Sequence, residues 1–260
     1  MNSLTEKFKW HTSTKEGTAF GILYAIGACH LLNDMIQSVI PAVYPLLKEK
    51  FSFTFAQIGI ITLVFQLTSS ILQPFTGLQA DRYPRPYSLS AGMCFTLFGL
   101  LALSFADNLP LILLSVAAIG CGSSVFHPGA SRVAQIASGG KKSLAQSIFQ
   151  VGGNGGNAIG PLLAALIVIP NGQHAVGWFA LAALAAAILL ARIGLWNSLT
   201  LKERESGKLN TKATVCNLPK TTVRNALAIL VLMIFSKYFF NACMTNYFTF
   251  YLIEKFDITV

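Results

Sequence analysis

The chain has 260 residues, of which 53% are hydrophobic and only 11% charged, and its mean hydropathy is +0.59. Soluble globular chains carry about 25% charged residues, so this composition excludes a soluble enzyme, a disordered tail and an ordinary nucleic-acid-binding domain. The formal net charge is +9, from 19 Lys and Arg against 10 Asp and Glu, and its distribution decides what it means.

A helix crosses a hydrocarbon core of about 30 Å in about 20 residues. A polar tail over 1–17 carries Lys7, Lys9 and Lys15, and seven apolar stretches follow at 18–44, 56–79, 87–106, 109–137, 144–169, 174–197 and 225–252. Polar breaks separate them at Lys48-Glu49-Lys50, Asp81 to Pro86, Asp107-Asn108, Gly139 to Lys142 and Pro170-Asn171-Gly172. No cleavage site follows the first stretch, so it reads as a retained span rather than a signal peptide. Backbone groups in lipid demand helices or a closed barrel, and these runs are too long and too uniformly apolar for barrel strands. The predicted class is an all-α membrane protein. A cytoplasmic tail (1–17) leads into a six-helix bundle (18–197). A basic loop (198–224) then precedes the first helix of an incomplete second bundle (225–260).

Cationic residues sort by side. Arg82, Arg85, Lys141, Lys142 and the basic loop from Lys202 to Arg224 fall on the side of the N-terminal tail, while the opposite loops hold only Lys48 and Lys50. The positive-inside rule therefore puts the N-terminus and the long loop in the cytoplasm. Five scattered cysteines, four of them in apolar runs, read as buried thiols rather than a disulfide framework. There is no Walker A sequence, no Cys/His metal spacing and no nucleophile elbow. The expectation is no enzyme, no metal and no cofactor.

Polar residues inside spans are the functional candidates. Span one places His30, Asp34 and Gln37 on one face with Asn33 beside them. A carboxylate at that depth must be paired, hydrated or protonated. Asp34 therefore reads either as a substrate- or proton-handling group or as a structural hydrogen-bond acceptor. Span four carries Ser124, His127 and Ser131 on one face, with Pro128 as a helix irregularity. His127 could take a proton. Arg132 could attract an anionic substrate or snorkel to the interface. Span five has an amide stripe, Gln146, Gln150, Asn154 and Asn157, and a small-residue stripe, Gly152, Gly156, Gly160 and Ala164, that suits close helix approach. The amides either line a substrate path or cross-link helices. Span seven places Lys237, Asn241 and Thr245 on one face, and Lys237 is expected to face a cavity or a carboxylate.

Two segments carry a resemblance. Gly77-Leu78-Gln79-Ala80-Asp81-Arg82-Tyr83-Pro84-Arg85 resembles the loop motif G-x-x-x-D-R-x-G-R-[RK] of the major facilitator superfamily, with Pro84 in place of its glycine. Gly156-Asn157-Ala158-Ile159-Gly160-Pro161 resembles the G-x-x-x-G-P signature of drug/proton antiporters. The segments His30 to Ser38, Ser123 to Pro128, Ala145 to Asn154 and Ile234 to Phe239 are similar to the fosmidomycin-resistance branch of that superfamily. Two further positions depart from the pattern. Val116 stands where many antiporters carry an arginine, and Gly129 stands where this branch often has an acid.

The resemblance implies a bacterial inner-membrane exporter of twelve helices that uses the proton gradient to expel a small phosphonate. His30, Asn33, Asp34, His127, Arg132, Gln150, Asn154 and Lys237 would then handle substrate or protons. Gly77, Asp81, Arg82 and Arg85 would form a cytoplasmic latch, and Gly152, Gly156, Gly160 and Pro161 the packing motif of span five. The expected partners are a small-molecule substrate, the lipid bilayer and a missing C-terminal half, with no nucleic acid. The alternatives are a transporter of another metabolite or sugar, and a non-transporting fragment.

Overall fold

The computed structural model of the chain describes residues 17–83, 85–205 and 219–256, apart from the side chains of 202–205, 241–254 and 256. The predicted tail, Pro84, most of the basic loop, Cys216 and the side chains of Cys243, Asn241 and Thr245 lie outside the described residues. Every regular element among the described residues is helical. In chain order they are α1 (Phe20–Ala42), α2 (Tyr44–Phe51), α3 (Phe55–Gln66), α4 (Leu72–Arg82), α5 (Ser88–Phe105), α6 (Leu109–Ala137), α7 (Lys142–Leu163), α8 (Ile169–Asn171), α9 (Phe179–Glu205) and α10 (Lys220–Phe256). A π turn over Leu67–Ile71 joins α3 to α4, and another over Ala164–Val168 joins α7 to α8. Each pair is therefore one continuous rod, Phe55–Arg82 and Lys142–Asn171.

Six helices among the described residues are long and apolar enough to cross a membrane: those two rods, Ser88–Phe105, Leu109–Ala137, Gln173–Leu201 and Lys220–Phe240. Helix α1, the first predicted span, has the length at 23 residues, but His30, Asn33, Asp34 and Gln37 dilute its apolar character. The short helix α2 was not expected. It takes in the Lys48-Glu49-Lys50 break and ends at Ser52, which adopts a left-handed conformation (φ 53°). Thr54 then starts α3 with a capping box closed by Gln57, and Asn108 caps α6 through the Leu111 amide at 2.9 Å. The two ends of the predicted 198–224 segment are helical, since α9 runs on to Glu205 and α10 begins at Lys220.

The contacts divide the chain into two units, Met1–Asn210 and Thr211–Val260. In the first, α1 packs along α7, α5 along α6, and α9 against both α5 and α1, while α6 also meets α1, α3, α4 and α7. Fully buried side chains line these seams, among them Leu23 and Ile36 of α1, Leu100 of α5 and Ile119 and Phe126 of α6. The outward faces stay apolar: Phe55, Phe75, Leu78, Phe98 and Trp178 are exposed. Soluble monomers do not leave so much large apolar surface in water, and a bilayer accepts it. The chain is a multi-pass membrane protein. In the second unit, α10 is one helix of 37 residues.

Pro128 sits inside α6. It has no N–H, so the carbonyl four residues back, that of Ser124, loses its helical donor. Thr76 of α4 replaces it, donating Oγ1–H to the Ser124 carbonyl at 2.7 Å. At Gly77 a Cβ would lie 3.4 Å from Pro128 Cβ, an ordinary contact, so this approach of α4 to α6 does not depend on that glycine. Thr76→Val keeps the shape and leaves that buried carbonyl without its donor. It is expected to lower the unfolding free energy by about 1–3 kcal/mol, read by thermal unfolding in detergent. An unchanged melting temperature would count against the bond's role.

Candidate functional site

The polar face of α1 points into the bundle, and Asp34 is its centre. Asn33 Nδ2 donates to Asp34 Oδ1 at 3.0 Å, Gln37 Nε2 to the same oxygen at 3.4 Å, and Asn157 Nδ2 of α7 to Oδ2 at 3.1 Å. Two imidazoles complete the shell. His30 Nε2 lies 3.3 Å from Oδ2, and His127 Nε2 of α6 lies 3.4 Å from Oδ1. His30 and Asp34 are a turn apart on one helix, while α6 brings His127 from elsewhere in the chain.

The far side of each ring meets a backbone carbonyl. His30 Nδ1 is 2.7 Å from the Phe149 oxygen and His127 Nδ1 is 3.3 Å from the Ser123 oxygen. A carbonyl only accepts, so these contacts fix the proton on Nδ1 in both rings and turn Nε2 towards the carboxylate. His30 also stacks on the Phe149 ring at 3.9 Å between centroids and meets the His127 ring edge-on at 5.3 Å. Glycines in α7 make room for this. A Cβ on Gly153 would run into the His30 ring and Asp34 Oδ2. Access is graded: the His30 side chain is 4% exposed, Asp34 11% and His127 30%. The cluster is thus reached from the His127 side.

Of the predicted handling residues, His30, Asn33, Asp34 and His127 come together. Gln150 and Asn154 stay exposed on α7. Gln150 lines an open polar groove of about 760 Å³ with Ser131, Gln135, Lys142, Gln146 and others. Among the amides of that stripe, the one that reaches Asp34 is Asn157.

The structure takes Arg132 away from the cluster. It lies five residues beyond His127, about 7.5 Å further along α6 and on a different face. There it donates to the Ala80 carbonyl and approaches Asp81 Oδ1 at 3.7 Å. It therefore belongs with the latch segment at the C-terminal end of α4. In the same segment Arg82 lies over the Tyr83 ring at 5.7 Å, and Arg85 lines a small cavity with Arg132. Asp81 is mostly exposed, at 76%. Asp81→Asn is therefore expected to change the unfolding free energy by less than about 1 kcal/mol, checked by melting curves in detergent. Val116, at the missing-arginine position, is fully buried. Lys237 lies in the second unit, over the Tyr238 ring at 5.6 Å. Gly152, Gly156 and Gly160 press on the α1 backbone or on Ser38, and Pro161 sits inside α7.

The sequence matches the Major Facilitator Superfamily over residues 26–260. It is 55% identical over 250 residues to the "Fosmidomycin resistance protein" of Escherichia coli (strain K12), covering 96% of this chain and 61% of that one. It is 41% identical over 261 residues to the "Uncharacterized MFS-type transporter YfnC" of Bacillus subtilis (strain 168), covering 99% of this chain and 64% of that one. The chain thus spans less than two thirds of the length of these relatives.

Solved structures agree in fold. A bacterial homologue of the human lysosomal transporter Spinster, in an inward-facing conformation, superposes with a TM-score of 0.58 at 18% identity, over 67% of this chain and 42% of that one. The peptide transporter POT superposes with a TM-score of 0.60 at 16% identity, over 86% of this chain and 46% of that one. A match across nearly the whole chain, carried on a bundle of the same fold, shows that the chain belongs to the Major Facilitator Superfamily.

Proposed function

We propose that the protein is a drug exporter of the bacterial inner membrane, with its N-terminus in the cytoplasm. It expels a small phosphonate such as fosmidomycin by alternating access, with proton entry driving export. The observation that carries this reading is Asp34, set in a membrane helix between His30 and His127. Such a group can load and release protons as access switches from one side to the other. The 55% identity to the E. coli fosmidomycin resistance protein supports the substrate class.

An anionic phosphonate needs positive charge in its path, and the two imidazoles beside Asp34 supply it when they carry a proton. Gln150 and Asn154 offer hydrogen bonds along the exposed face of α7. Asp81 and Arg132 hold the cytoplasmic latch at the end of α4. Transport itself requires the part of the fold that the relatives have and this chain does not span.

The test is full-length protein expressed in a bacterial strain lacking its own exporter. Growth is challenged with fosmidomycin, a second phosphonate, a sugar analogue and an unrelated cationic drug. The inhibitory concentration of the phosphonates should rise several-fold and fall back with a protonophore. Protection that ignores the phosphonates, or survives the protonophore, would overturn the proposal.

A further inference from the structure

We propose that His30, Asp34 and His127 form a binding site for a divalent transition-metal ion of the zinc class. Their donor atoms, two imidazole nitrogens and a carboxylate oxygen, lie within 4.8 Å of one another. With metal–ligand bonds of about 2.0–2.2 Å, ligand atoms around one ion sit roughly 3.3–3.6 Å apart. His30 Nε2 stands 3.3 Å from Asp34 Oδ2 and His127 Nε2 3.4 Å from Oδ1, so the carboxylate lies between the two nitrogens, and a turn of its plane with side-chain shifts on the order of 1 Å would seat an ion among the three residues.

The second observation is independent of that spacing. A metal-bound histidine ordinarily donates its other ring N–H to a carbonyl or carboxylate, which fixes the ring and leaves the ligand nitrogen free. Both histidines have this arrangement, with Nδ1 on the carbonyls of Phe149 and Ser123. In the neutral rings, two Nε2 lone pairs then face the two oxygens of one anionic carboxylate, and acceptors gathered this closely call for a cation. Asn33, Gln37 and Asn157 each donate to the carboxylate and hold its orientation, as hydrogen-bond partners of metal-binding carboxylates do.

The kind of ion follows from the ligands. Two imidazoles with one carboxylate suit zinc, iron(II), cobalt(II) or nickel(II), whereas magnesium and calcium prefer an all-oxygen shell. The partial exposure of His127 gives the ion a way in and leaves a coordination position for water or a ligand oxygen. An ion seated there takes the atoms that protons would occupy, so it also blocks the carboxylate.

The test uses full-length protein, purified in detergent without a polyhistidine tag and stripped with chelator. Zinc chloride is titrated calorimetrically. The expected result is one ion per protein, with affinity reduced about tenfold or more in His127→Gln and in Asp34→Asn. It should be unchanged in His174→Gln, an exposed histidine outside the cluster, and magnesium chloride should give no binding heat. Zinc should also raise the melting temperature of the parent protein and of His174→Gln, and that of neither cluster variant. Absent zinc binding overturns the proposal, as does binding that both cluster variants retain. These readouts involve no export. A protein that binds zinc but exports no phosphonate would sink only the proposed function, and an exporter that binds no zinc would sink only the metal site.

Discussion

Asp34→Asn in the full-length transporter is expected to cut proton-driven phosphonate export by about 10²-fold or more while leaving a folded membrane protein. The substitution preserves side-chain volume, so the α1–α7 and α1–α6 seams keep their shape. What it removes is the charge and one acceptor. Asp34 uses Oδ1 for Asn33 and Gln37 and Oδ2 for Asn157. An amide has only one oxygen, so one set of donors then faces an NH2 group, at a cost of about 1–3 kcal/mol. The two imidazoles lose the anion between them, and the amide that replaces it cannot take up or release a proton. The measurement is phosphonate uptake into inside-out vesicles driven by an imposed pH gradient, with expression checked by immunoblot. Undiminished uptake would remove Asp34 from the coupling mechanism.

Gly156→Ala is expected to destabilise the protein by about 1–3 kcal/mol, while Gly155→Ala, one residue away, should be neutral or stabilising by up to about 1 kcal/mol. The two glycines share a helix and a neighbourhood and differ in what a methyl group would meet. At Gly156 it runs into the Leu31 carbonyl and comes within 2.8 Å of the Met35 nitrogen. These are backbone atoms of α1 and cannot rotate aside, so α1 and α7 must separate. At Gly155 the nearest atom is Leu31 Cδ1 at 3.6 Å, an ordinary contact, and alanine's better helix propensity decides the sign. Thermal unfolding of the two variants in detergent compares them directly, and equal melting temperatures would sink the argument. Because α1 carries His30 and Asp34, the separation in Gly156→Ala should also weaken export.

How far the sequence could be read depends on whether the relevant residues share one helix. The long apolar runs gave the helices, because lipid forces each run to satisfy its own backbone. The polar face of α1 was legible for the same local reason: His30 and Asp34 are one turn apart. The small-residue stripe was legible as a close-packing surface, though its partner α1 was not. Partners across helices stayed hidden. Nothing in the spacing of Gln146, Gln150, Asn154 and Asn157 says which amide meets Asp34, since that depends on the rotation of α7 against α1. Arg132 looked as eligible as His127 from sequence, and only the register of α6 against α4 takes it to Asp81 and Ala80. The donor set of His30, Asp34 and His127 has no metal-ligand spacing in sequence because His127 comes from a different helix. The polar composition of α2 hid a helix, since a helix of eight residues needs no long apolar run.

The carbonyls behind the two imidazoles carry one more consequence. Proton wires pass charge through a histidine by taking a proton on one ring nitrogen and releasing another from the opposite one. Here the Nδ1–H of His30 is held by Phe149 and that of His127 by Ser123, so the opposite exit is closed in both rings. A proton that reaches Nε2 must leave from Nε2. Each ring is therefore a cup rather than a conduit, taking and returning a proton at the same nitrogen. In the proposed exporter, proton movement across the membrane would then depend on turning the cup itself from one side to the other.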